Sequence, residues 1–275
     1  MTSRAFWTPA RAPRAGPSTP PDASATSGIK TLPLTIADAP SPNFDERNGA
    51  PIDILVLHYT GMETGEASMT RMRDPEAKVA AHYFVDEDGA ISQLVPEEKR
   101  AWHAGAGCWK GERDVNARSI GIEIQNGGHD FGLPDFVEPQ IVAVIALCKE
   151  ILKRHPIPAS HVIGHSDLAP ARKQDPGEKF PWARLAEEGI GLWPGEQGVT
   201  GGLLGLGDEG EMVAEYQMDL ATYGYCPPGH GEFEGETADL TRAFQRHFYP
   251  EAVTGAADAE TRARLKALLT LSLTA

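Results

Sequence analysis

Behind Pro51 the chain reads Ile52-Asp53-Ile54-Leu55-Val56-Leu57 and then meets His58. A short, nearly unbroken apolar run of this kind marks a strand buried on both faces. Such a strand needs covering layers, so the chain must supply helices or further chain on each side of a sheet. Ser119 to Gln125 adds a second strand with strict alternation: Ile120, Ile122 and Ile124 share one face, and Gly121, Glu123 and Gln125 the other. The Glu123 face must therefore look toward solvent, a cleft or a metal. His82 to Val85, an acidic turn at Asp86 to Gly89, and Ile91 to Val95 form a hairpin signal. His161 to His165 reads as a last strand emerging into a polar loop.

Helical spacing takes over elsewhere. Glu66 to Arg73 predicts a short helix stopped by Pro75. From Pro139, the residues Ile141, Val144, Ile145, Cys148, Ile151 and Leu152 make one apolar stripe, closed by Lys149, Lys153 and Arg154 toward the negative end of the helix dipole. The fold class expected is α/β, a mixed central β-sheet flanked by helices. Three further helices, around Met212 to Tyr223, Thr237 to Phe248 and Ala259 to Leu269, suit a small C-terminal three-helix bundle.

Composition sets the boundaries. Residues 1–42 hold eight of the 22 prolines and read as a flexible Pro-rich arm. The α/β body is expected over 43–193, a Gly-rich linker over 194–207, and the helical bundle over 208–275. The formal charge of −14 excludes a nucleic-acid binder, which needs Lys and Arg to displace counterions from phosphates. Residues 208–275 contribute five basic and 12 acidic side chains, about half of that excess. No apolar run reaches the ~18 residues of a membrane span. Cys108, Cys148 and Cys226 are too few and too scattered for a disulfide framework or a CxxC metal site, and are expected as buried thiols.

The histidines with most chemical promise are His58 and His165, each at the end of an apolar strand. Two imidazoles and one carboxylate with an open fourth position make a catalytic zinc site. The carboxylate candidates are Asp167 and Asp175, in the stretch His165-Ser166-Asp167-Leu168-Ala169-Pro170-Ala171-Arg172-Lys173-Gln174-Asp175-Pro176-Gly177. Lys173 lies two residues before Asp175, so in extended backbone both leave the same side. A lysine there could stabilise an oxyanion developing during amide cleavage.

The segments LVLHYT, AAHYFV, QLVPEEKRAWHAG, SIGIEIQN, GHSDLAPARKQDPG and FPW stand in an order and spacing that resemble the zinc-dependent N-acetylmuramoyl-L-alanine amidases, in the AmiD-like branch of the family that includes AmpD and the peptidoglycan recognition proteins. The resemblance spans Ile52 to Trp193. It implies one Zn²⁺ held by His58, His165 and Asp175, with Glu123 activating the attacking water and Lys173 stabilising the tetrahedral intermediate. It also implies weaker substrate contacts from His82, Trp102, His103, Ala104, Asn126 and Arg172; Asp167 is expected either to support the metal ligands from behind or to cap the loop. Tyr216-Gln217, Leu220, Tyr223-Gly224-Tyr225, Gly235-Glu236-Thr237, Phe244-Gln245 and Ala257 to Thr261 resemble the three-helix peptidoglycan-binding domain. Tyr216 stands where that domain usually has a leucine.

The expected activity is hydrolysis of the amide between N-acetylmuramic acid, or its 1,6-anhydro form, and L-alanine, on peptidoglycan fragments or polymer, by a monomer. The alternative is a non-catalytic peptidoglycan sensor, as expected where a metal ligand is missing; all three ligand positions are filled here. Residues 1–21 show no signal-peptide apolar core and no early Cys, so the compartment expected is the cytoplasm, with the periplasm as the alternative.

Overall fold

The computed structural model describes residues 34–274. Its strands are β1 (Ile36–Asp38), β2 (Phe44–Glu46), β3 (Ile54–Tyr59), β4 (Tyr83–Val85), β5 (Ile91–Gln93), β6 (Lys99–Ala101), β7 (Ser119–Ile124) and β8 (Val162–Gly164). The helices are α1 (Gly65–Arg73), α2 (Val115–Arg118), α3 (Glu138–Arg154), α4 (His165–Leu168), α5 (Trp182–Glu187), α6 (Glu211–Tyr223), α7 (Gly235–Phe248) and α8 (Ala259–Ser272). Six strands form a mixed sheet in the order β1-β5-β4-β7-β3-β8, and β2 pairs with β6 beside it. All pairs in the large sheet are parallel except the β4–β5 hairpin.

The apolar run behind Pro51 is central for the reason its composition suggests. Leu55 and Leu57 pack with Ile120, Ile122 and Ile124 against the α3 stripe, while Ile54 and Val56 point to the opposite face. That second face is covered by Trp109, Leu168 and a group of C-terminal aromatics including Tyr223, Tyr225 and Phe244. One apolar cluster thus runs from the sheet into the helical bundle. At about 1.5–3 kcal/mol per fully buried large side chain, this packing holds α6–α8 against the sheet far more firmly than a flexible tether would. Tyr216, in the place of the expected leucine, is itself buried in this cluster, its hydroxyl 3.0 Å from Thr241 Oγ1.

Three expectations are corrected. The Pro-rich arm expected over 1–42 falls outside the described residues as far as Pro33, but Ile36–Asp38 is a strand paired with β5, because its backbone completes the open edge of the hairpin. The chain does not pass from β8 into a polar loop: His165 opens the short helix α4, whose first turn is tied by Asp167 to the Gly164 N–H. Cys108 and Cys226 are not free thiols but form a disulfide across 118 residues, a pairing that spacing alone does not reveal. Cys148 is buried on the α3 stripe, and burial pushes its thiol up to about 12, which leaves it unreactive. The Gly-rich stretch is bonded in place: the Gln197 and Val199 N–H groups reach Glu260, and Leu204 pairs with Ala257. No helix among the described residues is long and apolar enough to cross a membrane.

Candidate metal centre

Register brings the two histidines together. β3 and β8 are parallel neighbours with Leu57 opposite Gly164, so His58 and His165, each one residue further on, emerge side by side at the carboxyl edge of the sheet. That edge is where open α/β sheets present functional groups. On the other side of β3, His58 is the register partner of Glu123 on β7. The loop after α4 returns Asp175 to the same point, secured by a hydrogen bond from the Ser166 N–H to the Asp175 carbonyl at 2.9 Å.

His58 Nδ1 and His165 Nδ1 lie 2.9 Å apart, and each is 3.0 Å from Asp175 Oδ2. All three residues are buried, and their ligand atoms converge as a group that could hold a metal ion. The outer ring nitrogens are already engaged: His165 Nε2 donates to the Ala104 carbonyl at 2.9 Å, which leaves its Nδ1 as a lone pair facing inward. His58 Nε2 meets His103 Nδ1 at 3.0 Å, and His103 Nε2 meets Ser119 Oγ at 3.0 Å. An edge of about 3.3 Å is expected for a tetrahedron with ligand bonds of 2.0–2.1 Å, so the donor set fits a small divalent cation with a slight outward relaxation. Oxygen-loving Ca²⁺ or Mg²⁺ would not favour two imidazoles.

The electrostatics suit the same role. Burial, then the neighbouring His165, lowers His58 to about 4, so its imidazole is neutral and available as a ligand near neutral pH. Burial works against the Asp175 charge, but the His165 and His58 rings overcome it and keep the carboxylate ionised. Glu123 is pushed well above the usual carboxylate range by burial and by the Asp175 charge, with Lys173 opposing, and its Oε2 is a buried oxygen without a partner. A cavity of about 410 Å³ is lined by Tyr59, Arg71, Glu123, His165, Lys173 and Asp175 among others.

The weaker candidates separate. His103 lines the cavity but spends both ring nitrogens on His58 and Ser119, so it orients a ligand instead of meeting substrate freely. Ala104 contributes its carbonyl to His165. His82 is corrected: it is fully buried, its Nδ1 accepts from the Gly121 N–H, and its Nε2 faces Arg47 and the Lys99 carbonyl, away from the cavity. Asn126 is also turned aside, donating to the Pro134 carbonyl and accepting from the Gly128 N–H. Arg172 reaches the Ala104 and Ala106 carbonyls, which spends most of its fork on backbone. Trp102 is half-buried and does not line the cavity. Arg71, on the exposed face of α1, is a cavity residue that the sequence reading missed; nothing local distinguishes it from any basic residue in a last helical turn. Asn116, also missed, fixes the His103–Ala104 backbone through its side-chain oxygen.

Two imidazoles, a carboxylate, a second, partly buried carboxylate and an ammonium around one cavity make up a site on an α/β sheet that could hold a metal ion and assist hydrolysis with it. A family model described as N-acetylmuramoyl-L-alanine amidase matches residues 48–178, and a peptidoglycan binding domain model matches residues 209–265. The chain is 40% identical over 232 residues to the N-acetylmuramoyl-L-alanine amidase AmiD of Escherichia coli K12, covering 79% of this chain and 82% of that one. It is 36% identical over 164 residues to the 1,6-anhydro-N-acetylmuramyl-L-alanine amidase AmpD of Citrobacter freundii, covering 53% of this chain and 86% of that one. The solved structure of Escherichia coli AmiD with anhydro-N-acetylmuramic acid-L-Ala-D-gamma-Glu-L-Lys superimposes with a TM-score of 0.69 at 35% identity, covering 83% of this chain and 98% of that one. The chain belongs to the N-acetylmuramoyl-L-alanine amidase family.

Proposed function

We propose that this chain is a zinc-dependent enzyme that hydrolyses the amide between N-acetylmuramic acid, or its 1,6-anhydro form, and L-alanine. The observation that carries the reading is the convergence of His58, His165 and Asp175 on one point, with Glu123 and Lys173 lining the same cavity. Zinc, when bound there, polarises the scissile carbonyl and makes water acidic enough to ionise near neutral pH. Glu123 takes the proton of the attacking water with its unpartnered oxygen and returns it to the departing L-alanine amine. Lys173, which lines the same cavity, supplies a positive charge to the oxyanion that develops on the former carbonyl oxygen. His103 and the Ala104 carbonyl hold the two imidazoles in the ring setting the reaction needs.

The C-terminal helices, in the part of the chain that matches a peptidoglycan binding domain, support wall polymer or large wall fragments as the substrate. The Cys108–Cys226 disulfide supports the periplasm over the cytoplasm as the working compartment, since such bonds persist in oxidising surroundings. Treatment with a chelator should abolish release of stem peptide from purified muropeptide, read by mass spectrometry, and added zinc should restore it. Unchanged ligand mass with zinc-loaded protein would instead establish a binding sensor. Fractionation of the native protein, beside a reporter fusion active only outside the inner membrane, decides the compartment.

A further inference from the structure

Two of the three metal ligands, His165 and Asp175, sit on one loop, and the C-terminal helical module grips that loop at several points. Between the ligands lies Asp167, 1% exposed, whose carboxylate accepts three hydrogen bonds. One comes from the Gly164 N–H at 2.7 Å, next to His165 itself. The other two come from the module: the Tyr225 hydroxyl at 2.6 Å and His247 Nδ1 at 2.7 Å. His247 has no freedom to turn, because its ring is stacked between Trp182 and Phe248, with centroids 3.7 Å from each. Beside it on α7, Arg246 donates to the side-chain oxygen of Gln174, the residue between Lys173 and Asp175. The Cys108 N–H donates to the Leu168 carbonyl at 2.8 Å, and Cys108 is bonded covalently to Cys226 of the module.

A buried carboxylate is costly unless its oxygens are satisfied. Within the loop only one backbone N–H satisfies Asp167, so two of its three donors are supplied by the module. We propose that the C-terminal module has a second role besides wall binding: His247 and Tyr225 are positioning residues that act through Asp167 to set the His165–Asp175 loop in its metal-binding geometry. The inference rests on the zinc reading above, since its object is the placement of the metal ligands. Its consequence is that the module cannot be treated as a detachable targeting unit. A chain lacking it would keep every catalytic side chain and still hold zinc poorly.

The test uses the full chain as wild type, His247→Ala, His247→Asn, Tyr225→Phe, and Met218→Ala as a control on the exposed surface of the same module. Zinc affinity is measured by competition with a chromophoric chelator, starting from metal-free protein, and the cobalt-substituted proteins are compared by visible absorption. His247→Ala should weaken zinc about 10–100-fold and alter the cobalt spectrum. Tyr225→Phe should weaken zinc less, and Met218→Ala should match wild type. His247→Asn, which keeps a donor near the position of Nδ1, should recover part of the loss. Wild-type zinc affinity and cobalt spectrum in both His247→Ala and Tyr225→Phe would overturn the proposal, even with a lowered melting temperature, because docking without positioning predicts that pattern. Should His247→Ala not fold, Tyr225→Phe, which lacks a single hydroxyl, decides by the same two readouts. A wild-type chain that takes up no zinc would overturn the metal reading itself.

Discussion

Partly buried Glu123 and buried Asp175 are carboxylates beside one cavity, yet their surroundings drive them apart. Asp175 is held ionised by two imidazoles, whereas Glu123 has Lys173 as its only opposing influence and is shifted upward by burial. Groups pushed in opposite directions suit the division of labour proposed above, one as ligand and one as proton carrier. Glu123→Gln should therefore keep bound zinc at one equivalent by elemental analysis while turnover falls about 10²–10⁴-fold. Loss of the metal along with activity would move Glu123 into the ligand set. A different carboxylate, Glu97, contributes to stability in a way that depends on acid. Burial opposes the Glu97 charge, but hydrogen bonds from Arg154, His155 and Tyr83 overcome it and lower its pKa from 4.5 to about 2. The folded chain thus favours ionised Glu97, and this contribution is full above pH 4.5 and drains away as the pH falls toward 2. Glu97→Gln should cost about 1–3 kcal/mol near neutral pH. Its melting temperature should approach that of wild type as the pH drops, and parallel curves would refute the assignment.

Element by element, β7 shows how one strand serves core and site together. Its isoleucines seal the sheet against α3, and on the reverse face Gly121 leaves room for the His103 ring beside Glu123. A Cβ at Gly121 would lie 2.5 Å from that ring, which cannot retreat because its nitrogens are committed to His58 and Ser119. Gly121→Ala should therefore destabilise the chain by about 1–3 kcal/mol. It should also weaken zinc by roughly tenfold through the displaced His103–His58 pair, measured by chelator competition. A stability loss with unchanged zinc affinity would confine Gly121 to packing. The alternation that marks β7 is written in neighbouring residues, which is why the strand and the outward face of Glu123 were legible. The pairing of Ile36–Asp38 was not legible, since an edge strand of three residues owes its existence to the partner it finds in β5.

Among the described residues, the sheet and the C-terminal helices are bound together by a shared apolar cluster and by a disulfide that closes a long loop. Closing a loop of this size removes entropy from the unfolded chain, so Cys226→Ser should lower stability by about 2–4 kcal/mol. Melting with and without reductant should reproduce the difference in wild type and show none in the variant. Coincident wild-type curves would indicate that the thiols are not joined. The acidic balance of residues 208–275 bears on wall binding: a module with this excess gains no long-range attraction to an acidic polymer. Sedimentation of the full chain with insoluble peptidoglycan should accordingly change little between low and high salt, and a steep loss with salt would show that cationic patches carry the binding.

Local order in the chain determined the elements: the buried run before His58, the alternating strand of Glu123, the helical stripe of α3 and the three C-terminal helices each follow from residues a few positions apart. It also singled out His58 and His165 as strand-end histidines, while leaving Asp167 and Asp175 unresolved until family resemblance distinguished them. The tertiary structure decided what depends on distant partners. Parallel register between β3 and β8 set the histidines side by side, and the return of the loop put Asp175 with them. His82 and Asn126 were turned inward to backbone partners that no spacing predicts. Cys108 found Cys226, and Asp167 found Tyr225 and His247. The physical reason is the same in each case: periodicity is a local property, whereas the partner that satisfies a buried polar or covalent group is fixed only when remote segments are packed.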